Sequence, residues 1–261
     1  LTKKTEQLKQ AYDTELMAGG GHLSAWVVDR QEDLEAIALA VKAMHDSLDP
    51  SNPLLFAMGD GNHSLATAKS CWMDIKQTLS EEELQNHPAR YALVELENIF
   101  DPGLEFEPIH RVLFNLSKDT FLQEITKVCT SYVEKKVPSK EEVVAQINVN
   151  DGLQKFGYCD ADGCSVIVLQ QPKASIAAGT LQLVIDSLLA HKLATVDYIH
   201  GVDVTANLGR KKGNIALILP DVSKATFFDT IIKDNALPRK TFSMGEAHEK
   251  RYYVEARRIQ N

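Results

Sequence analysis

The sequence predicts a protein of the α/β or α+β class, a mixed β-sheet with flanking helices. Three observations carry that prediction. Stretches with apolar residues at spacings of three and four alternate with short apolar runs of strand length. Gly, Pro, Asn and Asp cluster between them, and 44% hydrophobic residues stand against 25% charged in a chain of 261. That is the make-up of a globular chain long enough to bury a sizeable core.

Residues 3–18 read as a polar helix ending at Gly19-Gly20-Gly21, and residues 22–28 as a strand. Asp29 stands where a helix N-cap belongs. Leu34, Ile37, Ala38, Val41, Met44 and Leu48 then share one face of an amphipathic helix. Asp49-Pro50-Ser51-Asn52-Pro53 breaks that helix. Residues 54–58 are an apolar run of buried-strand length, which passes through Gly59-Asp60-Gly61-Asn62 into a helix with Leu65, Ala68, Trp72 and Ile75 on one face. This order resembles βαβ construction, with an antiparallel partner as the open alternative. Residues 91–99 alternate as a strand does, and residues 109–114 form a second one. Phe121, Ile125, Val128 and Tyr132 mark a helix, residues 153–169 a hairpin turning at 160–163, and Leu181, Val184, Ile185, Leu188 and Leu189 another helix. A strand over 213–220 and a helix over 224–234 complete the pattern. The expected division is 1–134, carrying the glycine turn, and 135–261, with residues 135–139 as the boundary.

There are 28 Lys and Arg against 36 Asp and Glu, a net charge of −8. Such a chain is not a general binder of nucleic acid or of anionic membranes. No apolar run reaches the roughly 18 residues that span a bilayer. Residues 1–6 are polar, unlike a signal peptide, and a cytoplasmic location is expected. Cys71, Cys129, Cys159 and Cys164 include no C-x-x-C pair, which speaks against a structural zinc site. Cys159 and Cys164 flank the turn Asp160-Ala161-Asp162-Gly163 and could face each other across a hairpin, with reduced thiols the expectation.

Residues 58–69 hold the most chemistry. A strand delivers Gly59, Asp60, Gly61, Asn62, His63 and Ser64 onto the first turn of a helix. Glycine allows positive φ and close approach of a ligand, and free first-turn amides favour an anion. Asp60 offers an oxygen to a divalent cation or a base to a hydroxyl, and His63 a donor, ligand or acid. An acid beside a phosphate cradle suits phosphoryl transfer, which rests on positioning and charge neutralisation. The plain alternative is ordinary turn chemistry, with Asn62 as N-cap and His63 exposed. The segment is neither a P-loop nor a G-x-G-x-x-G. His110 and Arg111, after Pro108, offer a base and a phosphate clamp; His200 beside Gly201 and Asp203 is a weaker metal-ligand candidate.

The run from Gly59 to Lys69 resembles the Asp-Gly-x-His signature of the DUF1015 proteins of bacteria and archaea. Further matches are Phe106-Glu107-Pro108-Ile109-His110-Arg111-Val112, Asp197-Tyr198-Ile199-His200-Gly201 and the stretch from Leu237 to Gly245. The family is distantly similar to the ParB and sulfiredoxin superfamily, whose related turns bind nucleotide phosphates and some of whose members phosphorylate free serine. The resemblance implies nucleotide or metal contacts at Asp60, Gly61 and His63. This chain departs from it at Ser64, where related turns often carry the bidentate phosphate ligand Arg. It also opens at Leu1, where family members usually run longer, and reads as the C-terminal two-thirds of a longer protein.

The expected function is nucleotide-dependent phosphotransfer to a small hydroxyl-bearing metabolite, in the manner of an amino-acid kinase, with ATP or ADP and Mg as cofactors. Asp60, His63 and His110 are its expected catalytic residues, with Asp60 also the metal ligand. Gly59, Gly61, Asn62, Ser64 and Arg111 would hold the nucleotide. The partner is a small molecule, and a homodimer stays open. A non-catalytic binding protein is the alternative, and a metal-dependent hydrolase using Asp60, His63 and His200 the third reading.

Overall fold

The computed structural model of the chain describes residues 6–245 and 254–259. The chain falls into two compact units, residues 1–98 with 247–261 and residues 99–246.

The first unit opens with an antiparallel hairpin of β1 (Lys9–Glu15) and β2 (His22–Val27). Residues 9–15 are therefore strand and not the expected helix; residues 1–5 lie outside the described residues. Tyr12 and Thr14 favour a strand. Gly19 and Gly21, with φ of 68° and 89°, reverse the chain so that Glu15 stands opposite His22. His22 Nδ1 bonds Glu15 Oε1 at 2.7 Å and Nε2 meets Asp13, pairings that raise the imidazole above its ordinary pKa.

Next come α1 (Gln31–Asp46), α2 (Asn62–Ile75) and α3 (Glu81–Asn86). The N-cap position of α1 is Arg30 rather than Asp29, and no side chain caps it. Arg30 instead pairs with Asp33 at 2.5 Å. At α3, Ser80 and Glu83 form a capping box. The strands expected over 54–58 and 91–99 do not form among the described residues, so no βαβ unit is assembled there. An apolar extended run becomes a strand only when a neighbour accepts its backbone hydrogen bonds. Here Phe56, Met58, Leu93, Val94 and Leu96 stay exposed.

The second unit comprises β3 (Phe106–Phe114), α4 (Lys118–Ile125), β4 (Ser131–Val137), α5 (Lys140–Ile147), β5 (Gln154–Asp160), β6 (Gly163–Gln170), α6 (Ala177–Ala190), β7 (Thr195–His200), α7 (Val202–Gly209), β8 (Asn214–Ile218), α8 (Phe227–Asp234) and β9 (Phe242–Met244). Its seven strands run in the order β4-β6-β5-β8-β3-β7, with β9 on β3. The expected sheet with flanking helices is present, and each of these pairings is antiparallel, as in α+β construction. Tyr132 is strand rather than helix. Lys135, Lys136 and Val137 pair with β6 inside this unit, so residues 135–139 do not separate the two units; the division follows Asn98.

Both faces of the sheet are covered. Phe121 and Ile125 of α4 and Leu181, Val184, Ile185 and Leu188 of α6 pack on Leu113, Phe156, Tyr158, Ile167, Ile215 and Leu217. Val143 and Ile147 of α5 pack with Val166, Ala216 and Ile218 against the other face. Two-sided burial explains why residues 215–219 of β8 and its exit are an unbroken apolar run. The 160–163 turn sets Cys159 opposite Cys164, and the two form a disulfide. That overturns the reduced-thiol expectation for this pair, because the hairpin register brings their Cα atoms to 4.2 Å. Cys71 and Cys129 are free.

α7 approaches the sheet through Gly209, where an added Cβ would lie 2.4 Å from Ala216 Cβ and 2.7 Å from the Cys159 carbonyl oxygen. Alanine normally stabilises a helix by about 1 kcal/mol over glycine. At this site backbone stands in its way, and Gly209→Ala is expected to destabilise by about 1–3 kcal/mol. A lower urea midpoint with an unchanged denaturant slope is the result to look for.

Candidate functional site

In the first unit, residues 59–64 are exposed at the start of α2. Gly61, at φ 76°, occupies the N-cap position in place of the expected Asn62, which is already helical. A Cβ at 61 would meet nothing within 4 Å, so the glycine answers to backbone conformation and not to crowding. Asp60 Oδ1 accepts the Gly61 N–H at 2.8 Å. No side chain caps α2, and its first internal hydrogen bond runs from Leu65 N–H to the Gly61 carbonyl at 2.9 Å. The amides of Asn62, His63 and Ser64 precede that bond and present donors to solvent.

In the second unit, three other sequence motifs meet. β7, ending at His200, and β9, carrying Ser243, both pair with β3, which carries His110 and Arg111. The register sets Arg111 against Tyr198 and Ile109 against His200. Ser243 stands opposite Glu107. Strand alternation therefore puts Arg111, Tyr198, His200 and Ser243 on one face and His110 on the other. The Ser243 hydroxyl lies 3.5 Å from His200 Nδ1. Tyr198 and Ser243 had no role in the sequence reading; the signal was their place in matched motifs, but pairing them needs the sheet register.

Neither His110 nor Arg111 is a surface group: they are 2% and 0% exposed. The Arg111 guanidinium donates through Nη1 to the Ile109 carbonyl and lies 5.2 Å from the Tyr198 ring centre. Its Nε and Nη2 have no hydrogen-bond partner among the described residues. Burial pulls the guanidinium down to about 10, which leaves it charged at neutral pH. His110 Nδ1 accepts the Leu219 N–H at 3.2 Å. Burial first, then the charges of Arg111 and His200, lower its imidazole to about 4. A neutral ring accepting at Nδ1 carries its proton on Nε2, so that nitrogen is a donor.

Asp203 pairs with Lys140 Nζ at 2.9 Å. Among the described residues no three His, Cys, Asp or Glu side chains converge to hold a metal ion. Asp60 and His63 of the hydrolase reading belong to one unit and His200 to the other. No helix among the described residues is long and apolar enough to cross a membrane.

His110 carries a pH signature. Its folded value, about 4, lies below the ordinary 6.5, so the unfolded chain binds the proton first. The stability held by the neutral ring is complete above pH 6.5 and is lost as pH falls toward about 4. Its full size is on the order of 3 kcal/mol. Urea unfolding across that window is expected to show this loss in the parent and not in His110→Gln.

No curated protein matches the chain. Among solved structures it resembles two forms of a free serine kinase, one in complex with AMP and one with ADP, each at a TM-score of 0.47 and 12% identity over 83% of this chain and 80% and 81% of theirs. A conserved hypothetical protein from Pyrococcus furiosus matches equally, with the same score and identity and 84% of its length covered. Likeness at that level carries no argument about activity. A family model described as a protein of unknown function, DUF1015, matches residues 1–195. With about three-quarters of its length matched, the chain belongs to the DUF1015 family.

Proposed function

We propose that the protein transfers a phosphoryl group from a nucleotide, ATP or ADP, to the hydroxyl of a small metabolite, a hydroxy-amino acid being the concrete case. The observation that carries this reading is the exposed turn at 59–64: an acid directly before a left-handed glycine and an uncapped helix start. The amides of Asn62, His63 and Ser64 would take phosphate oxygens, with the helix dipole adding to the attraction. Gly59 and Gly61 let the backbone come close. Asp60 keeps one carboxylate oxygen on Gly61 N–H, and its other oxygen suits a hard cation. Magnesium bound there would neutralise phosphate charge. Without that duty, the same carboxylate would accept the proton of the attacking hydroxyl as its oxygen bonds phosphorus and the nucleotide oxygen departs. His63 would donate to the phosphate. The similarity to ParB-like phosphate turns belongs to this reading.

Ser64 favours a second reading, a nucleotide-binding protein without turnover, because it replaces the arginine that often steadies phosphate in related turns. Calorimetry with ATP and ADP in the presence of magnesium, followed by product analysis over a panel of amino acids, separates the two. Phosphotransfer predicts both binding and product, and Asp60→Ala is expected to cut turnover by roughly 100-fold or more. Binding with no product supports the second reading. No nucleotide binding, together with an unaffected Asp60→Ala variant, removes both.

A further inference from the structure

We infer that the second unit contains a small-oxyanion subsite built on Arg111, with His200 and Ser243 further along the same sheet face, and that its ligand is a phosphate or carboxylate group. The inference stands on this unit alone and does not need the nucleotide turn.

Arg111 is fully buried, yet two of its three nitrogens face no acceptor among the described residues. A buried cation without a partner is costly, because desolvation is not repaid by hydrogen bonds. One backbone carbonyl and the Tyr198 ring hold the guanidinium in place without neutralising it. The two idle nitrogens, Nε and Nη2, form the edge that binds a planar or tetrahedral oxyanion through paired N–H···O bonds. The neighbouring groups suit the same ligand. Ser243 offers a hydroxyl and His200 an imidazole, 3.5 Å apart. The Tyr198 hydroxyl is turned toward Gln182 Oε1, at 3.5 Å. Glu107, opposite Ser243, is exposed and so screened by water. The donors come from β3, β7 and β9, so the site is held by backbone pairing rather than by a loose loop.

The test is the melting temperature of the intact chain titrated with inorganic phosphate and, separately, with malonate, against chloride at matched ionic strength. A site at tenfold its dissociation constant is expected to raise Tm by roughly 3–5 °C. Arg111→Met keeps the volume and removes the charge; it is expected to lose the response while melting no lower than the parent in chloride. A response lost in Arg111→Met supports the subsite, one to phosphate alone assigning a phosphoryl ligand and one to malonate alone a carboxylate ligand. Should Arg111→Met fail to fold, His200→Ala and Ser243→Ala decide, each expected to weaken the response at least threefold. No response in the parent, or an equal one in the variants, overturns the inference. Asp60→Ala is expected to retain the response, so failure of the nucleotide reading and failure of this one are separable.

Discussion

One strand has to satisfy three neighbours. β3 pairs with β7 from Ile109 to Phe114, with β8 from Arg111 to Phe114, and with β9 from Phe106 to Pro108. Ile109 sits where these pairings meet: its N–H goes to the Thr241 carbonyl, while its own carbonyl takes the Arg111 side chain. Every backbone group that is buried must be paired, so this junction constrains the chain more tightly than any side-chain contact. It is also where the sheet buries its two most polar ring and guanidinium groups, His110 and Arg111. The apolar layers on either face then make each charge there expensive, which is why His110 is held neutral and why the partnerless guanidinium nitrogens are informative.

The two units differ in how they bury surface. Among the described residues, all 32 buried hydrophobic ones lie between Ile109 and Phe227, in the second unit. In the first unit Asp33 is the one buried residue among those described. The contacts of this unit include the His22 bridge to Asp13 and Glu15, the Arg30–Asp33 pair, the Ser80–Glu83 capping box and the Tyr12 hydroxyl donating to Glu255. Such interactions are individually small when solvent reaches them. The glycine turn at 59–64 therefore belongs to the part of the chain with little buried core, and the Arg111 cluster to the part with most. In the second unit glycine is itself a packing residue: Gly157 and Gly209 exist where a Cβ would strike Val143 or the strand backbone.

Much of the second unit was legible in the sequence. The hairpin at 160–163, the strand at 213–220, the helix around Leu181 to Leu188 and the strand at 109–114 all appear, because length, turn chemistry and periodicity agree there. The first unit was less legible. Residues 54–58 and 91–99 have the pattern of strands but form none among the described residues, and residues 9–15 look polar enough for a surface helix yet pair as β1. A period describes one chain segment, whereas a strand is a relation between two. The thiol state of Cys159 and Cys164 failed to follow from composition for the same reason, since register decides it.

For the candidate sites the division is similar. By itself the sequence determined the glycine turn, its acid and the helix that follows, since these depend on neighbours within a few residues and on glycine's freedom at φ 76°. It also picked out His110 and Arg111 as a pair. Only the tertiary structure decided that they are buried, that one is neutral and the other charged with two nitrogens unpaired among the described residues, and that His200 and Ser243, remote from it in the chain, lie on the same sheet face as Arg111. Burial and cross-strand register arise from residues remote in the chain, and dielectric and hydrogen-bond partners follow from them, so no local pattern can encode the chemistry of that site.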